Sequence, residues 1–228
     1  ILKVFATEHL WTVVNDTLQV YGGKGYFCDQ PVERWMRDAR INTIGEGAND
    51  VLKAFIAVVG CRGPGMMLKG LRDDMLGGRW SLRNIGASLG VVGRLKLPWL
   101  TAAPPVPVRA AELKPAADEL GRLVRDFGLR LPHVFLALKD EATFAQAQLV
   151  HERIADAAID LYVSACVLSR LDHLLGAGGK SADPYADPAA GRYFLALAAR
   201  RVRQSLAALD ANDDAELLTA AASTLARV

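Results

Sequence analysis

Apolar residues recur at helical spacing from the first positions of the chain. Leu2, Phe5, Leu10, Val13, Val14 and Leu18 fall on or near one side of a helix over 2–18, which Gly22 and Gly23 stop. A short helix over 32–40 carries Glu33, Arg34, Arg37, Asp38 and Arg40, with Asp29 placed to cap it and Pro31 in its first turn. Such a charge run is a solvated face with i,i+4 pairs such as Glu33–Arg37, or it lines a subunit interface. An apolar helix follows over 51–59, with Asn49 or Asp50 as its cap. Farther along, 110–139 reads as a helix or helix pair in which Pro132 is a kink or a new start. The stretch 140–175 is strongly periodic, with Phe144, Ile154, Leu161, Leu168 and Leu175 among its apolar positions, and Gly176, Gly178 and Gly179 close it. After a turn-rich loop over 181–188, helices over 189–209 and 215–226 complete a bundle. The expected fold class is all-α.

Three parts are expected: 1–60, a connector over 61–107, and a helical domain over 108–228. The connector is rich in glycine and basic residues, among them Arg62, Lys69, Arg72, Arg79, Arg83, Arg94 and Lys96, against Asp73 and Asp74. Leu68, Leu71 and Met75 share one helical face, and Leu82, Ile85, Leu89 and Val92 share another. Two basic amphipathic segments of this kind suit a membrane surface or a partner's groove, and they equally suit helices packed on a core. Pro98, Pro104, Pro105 and Pro107 end the segment as a stiff connector.

Composition narrows the classes. Within 228 residues the hydrophobic content of 51% is ample for a buried core, and a net charge of +2 gives no bulk attraction to nucleic acid. The longest uncharged apolar run, near 54–61, is shorter than the roughly twenty residues that span a bilayer. Cys28, Cys61 and Cys166 are odd in number and far apart, which fits a reducing compartment and no disulfide framework. His9, His133, His151 and His173 lack metal-ligand spacing and read as surface or satisfied helix histidines. Asp156 and Asp160 are an i,i+4 pair without a histidine partner, expected to be solvated rather than metal-binding. The chain opens in helical rhythm without a start methionine or a cap, so a preceding portion is expected.

The candidate chemistry lies in 19–50. Gly22, Gly23 and Gly25 without a preceding strand are not a Rossmann fingerprint, and by themselves they suit a helix C-cap and a tight loop. Glu46 stands between Gly45 and Gly47, where the backbone can pass close to a flat ligand. An acid near a helix start is also favoured by the helix dipole, by about 0.3–1 kcal/mol.

Several separated motifs in order decide between these. Gln19-Val20-Tyr21-Gly22-Gly23-Lys24-Gly25-Tyr26, then Pro31, Glu33-Arg34 and Arg37-Asp38, then Glu46-Gly47-Ala48-Asn49, resemble the C-terminal pattern of the acyl-CoA dehydrogenase family. That pattern runs Q-x-x-G-G-x-G-[FY], a proline, E-[RK]-x-x-R-D and E-G-T-[NS]. The second half is similar to the extra helical domain of very-long-chain members: Glu152-Arg153-Ile154-Ala155-Asp156-Ala157-Ala158-Ile159-Asp160-Leu161-Tyr162, then Val167-Leu168-Ser169-Arg170, looks like its middle helix.

The resemblance implies an FAD enzyme that dehydrogenates a fatty acyl-CoA between its α and β carbons, with Glu46 as catalytic base. It implies that Gln19, Gly22 and Gly23 contact the ADP part of FAD across a homodimer interface, and that Ala48, Asn49 and Asp50 form a second flavin-contacting segment. The family's threonine is Ala48 here, which removes a hydroxyl contact to the flavin. A frequent aromatic is Gly45, which widens the acyl end of the pocket, and Gly45 and Gly47 are the expected substrate-binding residues. The resemblance further implies an electron-transfer flavoprotein as electron acceptor and peripheral membrane contact through 62–96. The location it implies is the cytoplasm in a bacterium, or the mitochondrial matrix or inner-membrane face in a eukaryote. Because the flavin-binding β-domain is absent from 1–228, this chain alone is expected to be inactive. The rival readings are a non-catalytic paralogue serving as a helical assembly factor, which Ala48 favours, and an oxidase relative that reduces oxygen.

Overall fold

The structure, a computed structural model, describes residues 1–78, 85–86, 89–90, 93, 101–138, 140–176 and 186–227. Its order is α1 (Leu2–Tyr21), a 3-10 turn (Gly22–Tyr26), α2 (Pro31–Asn42), α3 (Asn49–Leu76), a 3-10 turn (Ala111–Leu113), α4 (Lys114–Leu138), α5 (Glu141–Gln146), α6 (Gln148–Gly176), α7 (Pro188–Ala207) and α8 (Asp214–Leu225). No strand occurs among the described residues, as the all-α reading requires. Within the connector, Leu82 and Val92 of the second amphipathic face lie outside the described residues, as do Arg79, Arg83, Arg94, Lys96 and Pro98. So do 177–180 and the first part of the 181–188 loop.

The helix over 140–175 is broken by one residue. Asp140 caps α5 through the Thr143 N–H at 2.8 Å, and Ala147, with φ −79° and ψ 62°, turns the chain before α6. α6 is buried over a broad face, with a strip through Tyr162, Cys166, Ser169 and His173 left to solvent. Ala157, Leu161, Leu168 and Leu171 pack with Leu113, Leu120 and Leu123 and with Ala199 and Val202 of α7. Ile154 packs with Ala57 and Cys61 of α3, Leu131 and Val134 of α4, and Phe144 of α5. Ile159 and Val163 pack with Val4 of α1, flanked by Leu52 and Ile56 of α3 and Phe194 of α7. One helix therefore joins three apolar clusters, and α1 and α3 are docked on it.

Charges pin the same seams. Lys53 of α3, its side chain 12% exposed, reaches Asp156 of α6 at 2.9 Å and Glu8 of α1 at 3.1 Å. Burial pulls the Lys53 pKa down, but the Asp156 hydrogen bond and the two carboxylate charges outweigh it and leave it raised. Asp160 takes a bidentate pair from Arg201 of α7 at 2.8 and 2.5 Å, and that guanidinium stands over Phe194. The solvated reading of Asp156 and Asp160 is thus corrected: each meets a cation from a different helix, and Asp160 is buried. Arg153 likewise holds Asp214 at the start of α8, at 2.7 and 2.5 Å.

Two further readings change. Asp29 does not cap α2; Gln30 occupies that position without a side-chain cap bond, while Pro31 is in the first turn as expected. The helix expected over 51–59 continues through Pro64 to Leu76, so no break separates 60 from 61. Over Asn49–Asp74 it is long and apolar enough to cross a membrane by length and composition. Lys53, Arg62 and Lys69 interrupt the apolar run, which is why the sequence shows only the shorter stretch. Its first half, however, is docked on α6 by Lys53, Ala57 and Cys61. Burial raises the Cys61 thiol to about 11 and keeps it neutral.

The proline-rich stretch before Ala111 is strapped down. Asp172 of α6 accepts the N–H groups of Arg109 and Ala110 at 2.7 and 2.8 Å, and these bonds hold its pKa below the usual carboxylate range. The strap crosses α4 closely: a Cβ on Gly121 would lie 2.5 Å from the Pro104 carbonyl oxygen. Backbone cannot yield there as a flexible side chain can. Gly121→Ala is expected to cost about 1–3 kcal/mol, lowering the melting temperature by several degrees for a chain of this size. Thermal unfolding followed by circular dichroism checks this.

Candidate functional site

The turn between α2 and α3 is built from its own backbone. Gly45 N–H donates to the Ile41 carbonyl at 2.8 Å, and Asn49 N–H to the Thr43 carbonyl at 3.0 Å, closing the loop. Lys3 of α1 then latches it: Nζ lies 2.7 Å from both the Gly47 carbonyl and Asn49 Oδ1. The Asn49 amide donates to Thr7 Oγ1 at 2.9 Å. Asn49 is 6% exposed, so its polar atoms are spent on α1.

Closing the turn in this way forces an unusual backbone. Glu46 has φ 55°, the only non-glycine residue with positive φ among those described, and Gly47 has φ 95°. A Cβ on Gly47 would also meet Leu52 at 3.3 Å. A left-handed conformation costs a side-chain-bearing residue about 1–2 kcal/mol, so the latch holds Glu46 in strain. Its carboxylate is exposed, in no ion pair among the described residues. Its backbone N–H donates no backbone hydrogen bond among them either.

The other candidate residues lie at the far end of α1. Gln19 is exposed near its last turn, and the chain leaves at Gly22 with φ 60°. A Cβ at Gly22 or Gly23 would meet nothing within 4 Å, so this edge is open. From Lys3 to Gln19 is about 24 Å along a helix at 1.5 Å per residue. The structure therefore brings Gly45, Glu46, Gly47, Ala48, Asn49 and Asp50 together, and keeps Gln19, Gly22 and Gly23 apart from them. Around both sets the apolar surface is left uncovered: Val20 is 86% exposed, Tyr26 72% and Phe55 62%. On α2, Arg37–Glu33 and Arg34–Asp38 form the expected i,i+4 pairs at 2.9 and 3.6 Å.

No group of three or more His, Cys, Asp or Glu residues able to hold a metal ion occurs among the described residues. Lys3 and Thr7 were not foreseen. They sit in no motif, and nothing local to α1 marks residues whose partners are more than forty positions away.

Two family models match the chain. "Acyl-CoA dehydrogenase, C-terminal domain" matches residues 1–60, and "ACAD9/ACADV, C-terminal domain" matches residues 111–227. This chain belongs to the acyl-CoA dehydrogenase family. It is similar to the mitochondrial very long-chain specific acyl-CoA dehydrogenases of Homo sapiens, 32% identical over 223 residues, and Rattus norvegicus, 31% identical over 214. Each match takes in 93% of this chain and 32% of the relative, so the chain spans about a third of the length of those relatives. A Bacillus anthracis acyl-CoA dehydrogenase solved in complex with FAD shares the fold. Its TM-score is 0.63 at 21% identity, covering 99% of this chain and 34% of that one.

Within this acyl-CoA dehydrogenase chain, the residues expected to contact a dinucleotide lie near the two ends of α1 and differ in how they are held. Gln19, Gly22 and Gly23 offer an open, uncommitted edge, whereas Ala48 and Asp50 flank the strained turn. Asn49 fits as the residue that positions the turn, because its side chain is turned inward. Replacing Glu46 by glycine removes the strain but adds glycine's entropy cost of about 0.5–1 kcal/mol. Glu46→Gly is therefore expected to raise stability by up to about 1.5 kcal/mol while deleting the carboxylate. Chemical denaturation checks it, with Glu46→Ala as the control that keeps the strain.

Proposed function

We propose that the protein containing this chain dehydrogenates long- or very-long-chain fatty acyl-CoA thioesters between the α and β carbons, with Glu46 removing the α-proton. The observation that carries this reading is the strained, latched Glu46 between two glycines, held rigidly yet with no ion-pair partner among the described residues. A carboxylate serving only as a surface charge gains nothing from a backbone conformation that costs free energy.

The chain's own residues divide the work. Lys3, Thr7 and Asn49 fix the turn. Gly45 and Gly47 leave room for the thioester beside it. The uncommitted N–H of Glu46 is available to the thioester carbonyl oxygen, where negative charge develops as the α-proton leaves. Bound FAD supplies a hydride acceptor for the β-carbon. Gln19, Gly22 and Gly23 would hold its ADP portion, and Ala48 and Asp50 the second segment. These two sets lie toward opposite ends of α1, which suits the homodimer that the family resemblance implies, in which one protomer's α1 end serves its partner's flavin. The exposed apolar faces of α1–α3 suit such an interface and the rest of the protein.

Glu46 is open to water in this chain, so the base becomes competent only when that surface is covered. The chain alone is then inactive. Residues 1–60 carry the chemistry, 61–107 connect, and 108–228 form the added helical domain. Electrons pass onward to an electron-transfer flavoprotein. Exposed Met66, Met67 and Leu76 beside Arg62 and Lys69 support peripheral membrane contact through 62–96, at the cytoplasmic face in a bacterium or the mitochondrial inner-membrane face in a eukaryote. Ala48 in place of threonine favours the second reading, a non-catalytic assembly factor.

The test uses the full-length protein. Glu46→Gln is expected to retain yellow FAD and to bind palmitoyl-CoA, with flavin bleaching slowed at least about 100-fold. Unchanged bleaching in the variant removes Glu46 as the base. Absence of bound flavin in the unaltered protein favours the assembly factor.

A further inference from the structure

His151, at the start of α6, has no part in the proposed reaction. It is 1% exposed, and neither Nδ1 nor Nε2 has a hydrogen-bond partner among the described residues. It corrects the reading of this residue as a surface or satisfied histidine, whereas His9 does bond the Phe5 carbonyl at 2.9 Å. The imidazole meets Phe144 of α5 edge to face, with ring centroids 4.8 Å apart. Phe144 in turn packs in the cluster that joins Ala57 and Cys61 of α3, Leu131 and Val134 of α4 and Ile154 of α6. The ring thus stands at the seam where α3, the helix that begins at the Glu46 turn, docks on the C-terminal helices.

A neutral imidazole in this place leaves one donor and one acceptor unmet. An imidazolium would leave two donors and a full charge among apolar neighbours, which costs far more. We propose that His151 is an acid-sensitive joint: its protonation frees α5 and the first turns of α6 from α3 and α4, loosening the C-terminal helices from the helix that carries the site.

No counter-charge offsets this. On α3 the titratable groups are Lys53, occupied by Glu8 and Asp156, Lys69, paired with Glu141 of α5, the neutral Cys61 thiol, exposed Asp50, Arg62, Arg72 and Asp73, and half-buried Asp74. On the last three turns of α4 they are exposed His133 and half-buried Arg130, the latter paired with Asp210. Beside the ring on α6 are Glu152, which faces Lys53 at 3.9 Å, and Arg153, held by Asp214. Asp140 precedes α5, with its carboxylate on Thr143. None of these charges acts on the ring. Burial lowers its pKa from 6.5, and the Phe144 carbonyl pulls weakly the other way without reaching hydrogen-bond geometry. The closed joint is therefore fully stable above pH 6.5 and weakens as pH falls from there toward the lowered folded value, because the opened form binds a proton that the closed form does not.

The experiment follows the His151 ring by NMR and backbone amide exchange by mass spectrometry, on the full chain from pH 7.5 to 5, corrected for intrinsic exchange rates. The opening constant of α5 and the first turns of α6 is expected to rise below pH 6.5 with a slope approaching tenfold per pH unit. His151→Phe and His151→Leu should each abolish that slope. A ring that titrates near 6.5 with protection unchanged overturns the proposal, and so does a slope that survives in either variant. Should both variants fail to fold, the ring titration and exchange of the unaltered chain decide it on the same criteria.

Discussion

Everything in this structure leans on α6. A helix with a narrow apolar stripe along one side can be covered by one neighbour, but α6 buries residues toward α1, α3, α4, α5 and α7 and so demands several neighbours, leaving to solvent a strip through Tyr162, Cys166, Ser169 and His173. Meeting that demand joins the two family-matched stretches, 1–60 and 111–227, into one packed body. Lys53 reinforces the joint from the α3 side, since a nearly buried ammonium must keep its carboxylates close. The helical domain is therefore more than an appendage to the site-bearing helices, because α1 and α3 are seated on it.

The site inherits its rigidity from that seating. Val4 of α1 is fully buried against Ile159 and Val163, which fixes the register of Lys3 and Thr7, one residue before and three after it. Those two side chains then hold Gly47 and Asn49, and the turn between them has little choice but to carry Glu46 in a left-handed conformation. A chain of contacts runs from the added domain through α1 to the carboxylate. Strain at Glu46 is the cost of fixing a short loop at both ends.

The uncovered surface has an equally physical reading. Val20, Tyr26, Phe55 and Val51 are apolar and exposed on the elements that bear both candidate residue sets, while the interior of α6 and α7 is sealed. Large apolar side chains gathered on one part of a molecule mark contact with more protein. A catalytic base needs water excluded, and these surfaces are where exclusion would come from.

Much was legible beforehand. Helical periodicity named nearly every helix, because spacing of apolar side chains is a local property, and the ordered motifs around Gln19 and Glu46 identified the family. Local pattern was blind to three things. It could not show that Asp156 and Asp160 meet Lys53 and Arg201, that His151 is sealed with no hydrogen-bond partner among the described residues, or that Lys3 reaches Gly47. A charge or an imidazole carries the same letter whether water or protein surrounds it. Which one surrounds it depends on helices brought together from distant parts of the chain, and that is decided only when they pack.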